Sequence, residues 1–204
     1  MKGFFHFFAV GFLIVFLCGN SSAQQLRDGD IIFQTSHSSL SVAIQKATHS
    51  KYSHMGVIFV RDSRPYVYEA IGSVLYTPFQ NWTARGDGGR YVVKRLREAD
   101  KVLNPTAVVK LRNSAAKFEG KPYDIYFGWS DSRIYCSELV WKIYDRGLGI
   151  QIGRLQKLRD FDLSDPLVKA KMKERYGNRI PMDEKVISPG EMFSSDLLTL
   201  VVEH

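Results

Sequence analysis

Two apolar runs rich in branched and aromatic residues, 55–60 and 66–71, are separated by Arg61-Asp62-Ser63-Arg64-Pro65. Strand formers on both sides of a turn-forming stretch predict an antiparallel hairpin. A hairpin is marginal alone in water, so it needs further strands and something apolar to cover it. The chain supplies both. Short strand-like runs lie at 31–33, 73–76 and 91–96, and 197–202 reads as a last strand or an extended tail. Residues 81–89 form a glycine-containing loop.

Helical periodicity appears at 40–48, with Ser38 or Ser39 as cap, and at 106–118, ended by Gly120. It recurs at 136–148, where Leu139, Val140, Ile143, Tyr144 and Leu148 share one side. Residues 163–177 form a more basic helical stretch with Pro166 in its first turn, and Ile187-Ser188-Pro189-Gly190 is a turn before a short helix. The order predicts an α+β fold, an antiparallel sheet packed with helices. A length of 204 residues suits one domain with a sizeable core. No internal repeat or low-complexity linker interrupts it.

The beginning of the chain reads differently. Met1-Lys2 give a positive start, an almost wholly apolar run reaches Leu17, and Gly19-Asn20-Ser21-Ser22-Ala23 follows. This is the layout of a secretory signal, residues 1–23, cleaved after Ala23 and leaving 24–204 as a single exported domain in the periplasm or outside the cell. The apolar run is short for a membrane span. The alternative is a lipid anchor through Cys18, although Leu17 is bulkier than a lipoprotein signal usually carries at that place.

Cys18 and Cys136 are the two cysteines. Signal removal leaves Cys136 without an intramolecular partner. An unpaired thiol in an oxidising compartment is reactive, joined to another chain, or buried and inert. Loss of Lys2 lowers the net charge from +7 to +6, which suits anionic polymers such as cell-wall material, or a membrane surface, and equally serves solubility. No basic run interleaved with aromatics resembles a nucleic-acid surface. Lys169, Lys171, Lys173 and Arg175 read as a solvated helix face.

Cys136 opens a predicted helix, where first-turn N–H groups and the helix dipole favour a thiolate and can also meet an oxyanion. His37, His49 and His204 sit in polar or terminal contexts, whereas His54 stands at the mouth of the strongest strand. Glu69 lies on the returning strand. A turn centred between Arg61 and Asp62 sets His54 and Glu69 directly opposite; one centred on Ser63 offsets them by about three positions, which a bulge would have to absorb. A structural histidine and a solvent-facing glutamate fit the same pattern.

The stretches Gln25-Leu26-Arg27-Asp28-Gly29-Asp30-Ile31-Ile32-Phe33, Tyr52-Ser53-His54-Met55-Gly56-Val57, Val67-Tyr68-Glu69-Ala70 and Gly120-Lys121-Pro122-Tyr123-Asp124 carry a resemblance. So do Tyr135-Cys136-Ser137-Glu138-Leu139-Val140-Trp141 and Ile187-Ser188-Pro189-Gly190. Together they resemble the YiiX/YebB-like group, circularly permuted papain-fold cysteine hydrolases related to NlpC-type cell-wall peptidases. The histidine precedes the cysteine, which is the permuted order.

The resemblance implies a permuted papain-like fold with an antiparallel sheet or barrel. It implies Cys136 as nucleophile, His54 as base and Glu69 as the residue that orients the imidazole. Tyr52, Tyr135 and Glu138 fall in matching motifs and are expected to shape the site or touch substrate. Acyl transfer through a thioester follows, with no cofactor and no metal. Three readings of the partner remain: a peptide or amide substrate from the cell wall, an acyl lipid, or a non-catalytic module that binds either. Tyr126, Phe127 and Trp129 are candidates for an acyl pocket or for core. A monomer is the expected state.

Overall fold

The expected hairpin lies inside a six-stranded antiparallel sheet in a computed structural model, which describes residues 25–36 and 38–204. The expected signal, Cys18 and His37 lie outside the described residues. The elements run β1 (Asp30–Gln34), α1 (Ser39–Thr48), β2 (His54–Arg61), β3 (Arg64–Ile71), β4 (Ser73–Pro78), α2 (Phe79–Thr83), β5 (Val92–Leu96) and α3 (Ala99–Val102). They continue with α4 (Pro105–Ala116), α5 (Cys136–Leu148), β6 (Gln156–Lys157), α6 (Pro166–Tyr176), β7 (Lys185–Val186), α7 (Pro189–Phe193) and β8 (Leu198–Glu203).

The strands order as β4-β3-β2-β1-β5-β8, so the sheet is open, ending at β4 and β8. β8 settles the last segment as a strand, paired with β5. The 81–89 loop is shorter than expected, because α2 takes its first residues and seats Trp82 under the sheet. The short α3 and the β6–β7 ribbon carry too little periodicity to be read from sequence.

Local chemistry sets the boundaries. Ser38 caps α1 by accepting from the Ser41 N–H, and Asn104 does the same for α4 from Ala107. α6 begins at Pro166 with Asp165 as cap, so 163–165 stay outside the helix. α5 is closed by Gly149 in the left-handed region, φ 70°.

The sheet has two apolar faces. One packs Ile31, Phe33, Val57, Phe59 and Tyr68 against Leu139, Val140 and Ile143 of α5. The other gathers Ile32, Ile58, Val67 and Val93 around Trp82. A third cluster, Ala43, Leu158, Val168 and Met172, joins α1 to α6 outside the sheet.

The hairpin register falls between the two expectations. Arg61 pairs with Arg64 and Val57 with Tyr68, so the turn is Asp62-Ser63, both at positive φ (48° and 58°). Continuing the ladder by one step sets Glu69 opposite Gly56 and leaves His54 two positions further along the same face. The pair is diagonal, and no bulge is needed for two long side chains to meet.

Candidate active site

His54 and Glu69 do meet. The imidazole Nε2 lies 2.5 Å from Glu69 Oε2, and Glu69 is wholly buried. Gly56 makes the approach possible: a Cβ there would stand 2.5 Å from Val67 Cγ1 and 2.8 Å from the Tyr68 carbonyl oxygen. The glutamate is held on every side. Trp82 Nε1 donates to Oε2 at 2.9 Å, Thr77 Oγ1 donates to Oε1 at 2.5 Å, and the Arg85 guanidinium pairs with Oε1. Burial pushes its pKa up, but the bonds from His54 and Thr77 and the charges of His54 and Arg85 outweigh that and hold it below the usual carboxylate value.

Thr77, Trp82 and Arg85 escaped the sequence reading. The available signal was Trp82 itself, a large aromatic inside a stretch that otherwise reads as a polar, glycine-bearing loop.

With Nε2 engaged by Glu69, Nδ1 is the ring nitrogen left free, and Cys136 is near enough to influence the protonation of the imidazole. The ring also stacks on Trp82, with centroids 5.8 Å apart and planes at 22°. Burial works against a charged imidazole, yet the bonds and charges of Cys136 and Glu69 reverse it and raise the pKa from 6.5 to about 9. His54 therefore keeps its proton through neutral pH.

Cys136 is the first residue of α5 and a free thiol, 3% exposed. The first-turn N–H groups of a helix have no intrahelical acceptor, so this end of α5 can donate to a developing oxyanion. Glu138 takes one such group, accepting from the Tyr135 N–H at 3.4 Å. Its other oxygen stands 2.7 Å from Lys142 Nζ without hydrogen-bond geometry. Burial dominates here and raises Glu138 from 4.5 to about 7, despite the lowering effect of Lys142.

Tyr135 lines the floor beside Cys136, and its hydroxyl accepts from the Ile187 N–H at 3.1 Å. Tyr52 lies elsewhere. Its ring packs on Phe193 at 4.0 Å and Phe33 at 5.8 Å, and it borders neither of the hollows onto which Cys136 and His54 open. Its ring supports the strand entrance from the core.

Tyr123 is the group the motif contained and the sequence reading gave no role. Its N–H donates to the Gly72 carbonyl at 2.8 Å, and a bridge to Ile134 ties it beside the start of α5. Burial, then the negative charge of Cys136, pushes the phenol far above its ordinary value, so it remains a hydrogen-bond donor. Phe127 lines the hollow next to Cys136, while Tyr126 is 48% exposed and Trp129 packs edge-to-face with Trp141. Among the described residues no group of three or more His, Cys, Asp or Glu stands close enough together to hold a metal ion.

Three comparisons bear on the family and the fold. A family model described as "Permuted papain-like amidase enzyme, YaeF/YiiX, C92 family" matches residues 25–202. "Uncharacterized protein YiiX" of Escherichia coli (strain K12) is 51% identical over 182 residues, 89% of either chain. The structure described as "Crystal structure of metalloprotein yiiX from Escherichia coli O157:H7, DUF1105" is similar with a TM-score of 0.85 at 52% identity. That match covers 88% of this chain and 98% of the other.

Proposed function

The chain belongs to the C92 family of permuted papain-like amidases, and from that premise we propose that it cleaves an amide through Cys136, with His54 moving the proton and Glu69 holding the imidazole. The observation that carries the assignment of roles is the buried Glu69 carboxylate 2.5 Å from the His54 imidazole, whose pKa Glu69 and Cys136 together raise. The sulfur attacks the carbonyl carbon. The first-turn N–H of Cys136 and the Tyr123 hydroxyl receive the oxyanion. His54, protonated up to about pH 9, delivers its proton to the departing amine as the C–N bond breaks. Water then attacks the thioester, the C–S bond breaks, and the product leaves as a carboxylic acid.

The relative of known structure is described as a metalloprotein. The donor set here does not suit an ion: both Glu69 oxygens are engaged by His54, Trp82, Thr77 and Arg85. No step is therefore routed through a metal.

The signal layout at residues 1–23 and the basic balance support action outside the cytoplasm on a peptide or amide substrate, with cell-wall peptides as one such class. N-terminal sequencing of the exported protein should begin at Gln24.

The test of the roles is the rate of alkylation at Cys136 by iodoacetamide across pH. Fast labelling near neutral pH that slows to the rate of a free cysteine in His54→Ala supports the pair. Equal rates in both proteins sink it.

A further inference from the structure

The loop between Tyr123 and Trp129 holds apolar side chains out in water. Ile125 is 46% exposed and Tyr126 48%, yet the backbone that carries them is tied down along its length. The buried Asp124 carboxylate accepts from the Tyr126 and Gly128 N–H groups, each at 2.8 Å. The Tyr176 hydroxyl donates to the Tyr126 carbonyl, and Glu184 accepts from the Trp129 N–H at 2.8 Å. Phe127 lies at φ 49°, and its ring turns in against Tyr135 while the two residues before it stay outside. Ile71 extends the apolar strip. It is 41% exposed and precedes Gly72, whose carbonyl accepts from the Tyr123 N–H at 2.8 Å. Apolar side chains kept outward by a braced loop mark a contact surface.

The charge around this strip is positive. Arg175 sets its guanidinium 4.7 Å from the Phe127 ring. The Arg179 N–H donates to the carbonyl of Tyr176, whose ring packs beside Tyr126 with centroids 6.1 Å apart. Among the described residues neither guanidinium has a carboxylate partner. The nearby carboxylates are engaged instead: Asp124 and Glu184 by N–H groups of the loop, and Glu174 by Lys171 at 2.7 Å.

An apolar strip edged by free cations fits an anionic bilayer. Isoleucine enters the boundary of the acyl chains, tyrosine lays its ring there with the hydroxyl among the headgroups, and guanidiniums meet phosphates. An anionic polymer would satisfy the arginines but has no apolar phase for Ile125. A second copy of the chain would bring like charge against like.

We propose that Ile71, Ile125 and Tyr126, flanked by Arg175 and Arg179, dock the protein on the surface of an anionic phospholipid membrane. This goes beyond the amidase reading and does not depend on it, since it concerns where the protein sits and not what it cleaves.

The experiment is flotation of the exported protein with vesicles of phosphatidylcholine, with and without a quarter of phosphatidylglycerol. The expected result is binding to the anionic vesicles that weakens in high salt and on the neutral ones. Ile125→Ser combined with Tyr126→Ser should lower the partition coefficient at least about tenfold. Arg179→Gln should lower it about fivefold on anionic vesicles and leave it unchanged on neutral ones. Circular dichroism and an unchanged alkylation rate at Cys136 show that each variant is folded. In Tyr126→Trp, brominated acyl chains should quench the added fluorescence.

Failure of the parent to float with anionic vesicles overturns the proposal. So does equal flotation of parent and the double serine variant, or a Tyr126→Trp signal that brominated lipid leaves untouched. A parent dimer in sedimentation equilibrium that the serine variant makes monomeric overturns it too, because a second copy then covers the strip. None of these readouts involves turnover, so each leaves the amidase reading standing. Flotation as expected with an unreactive Cys136 sinks the amidase reading alone.

Discussion

Glu69 and Glu138 are both wholly buried carboxylates, and each stands behind one member of the Cys136–His54 pair. Glu69 receives four groups: an imidazole, an indole N–H, a hydroxyl and a guanidinium. Glu138 has one ammonium at 2.7 Å without bonding geometry and one backbone N–H at 3.4 Å. Burial is the largest influence on each. It is outvoted at Glu69, whose pKa is lowered, and it wins at Glu138, which rises to about 7. The count and geometry of donors, more than depth, decide whether a buried carboxylate is a fixed charge or a proton store.

The sharpest way to break this contrast is Glu69→Ala. It strands the buried Trp82 N–H and removes the group that orients His54. The expected loss in kcat/KM is roughly 10²-fold or more, the usual scale for a disabled acid–base group. Stability should fall by about 3–5 kcal/mol, as when one partner of a buried ion pair is removed; urea denaturation reads it. Glu69→Gln keeps the shape and removes the charge. In that variant the His54 pKa should drop from about 9, and in Cys136→Ala it should drop as well, since both groups raise it. NMR titration of the His54 ring measures both.

His54 also carries a pH signature. Its folded pKa lies above the ordinary 6.5, so its contribution to stability is complete below 6.5 and is lost as pH rises through about 9. Glu69 works at the other end: its depressed pKa gives stability that is present above 4.5 and lost as pH falls through its folded value. Thermal unfolding from pH 3 to pH 10 should show both flanks. Loss of the acid flank in Glu69→Gln assigns it.

A smaller effect tests one donor alone. Trp82→Phe removes the 2.9 Å bond to Glu69 while keeping a ring against His54. The expected cost is about 1.5–3 kcal/mol, the range for a hydrogen bond to a charged group. A rise in the Glu69 pKa should accompany it, visible as an acid flank shifted toward neutral pH. An unchanged acid flank would mean that the indole bond does not help to fix the charge.

How far these features were legible depended on the range of the interaction. The strands around 55–60 and 66–71 and the α5 face of Leu139, Val140 and Ile143 follow periodicity, which is local, and they fold as read. The meeting of His54 and Glu69 was legible only as a neighbourhood. The register turned on whether Asp62-Ser63 would adopt positive φ without a glycine, which pattern alone does not decide. Thr77, Trp82 and Arg85 reach Glu69 from the next strand and helix, and nothing in their spacing marks the contact. The cavity beside Cys136 was least legible, because α1 and α6 build its wall from opposite ends of the sequence. The basic residues of α6 looked uniform, yet Lys171 and Arg175 turn to the rim while Lys169 and Lys173 stay exposed.

At pH 4 the smallest expected effect belongs to Glu138→Gln, and it completes the contrast. Unfolded, Glu138 gives up its proton near 4.5; folded, it keeps it to about 7. Across that window the native state binds the extra proton, so this residue makes stability fall as pH rises. A glutamine mimics the protonated acid and cannot ionise. The variant should therefore come closest to the parent at pH 4, where Glu138 is largely protonated both folded and unfolded, and should be the more stable protein at pH 8. Denaturation midpoints at the two pH values read the difference. If the variant instead loses stability at pH 8, the ionised carboxylate is held by Lys142 more firmly than its burial opposes it. Glu138 would then be a second fixed charge like Glu69.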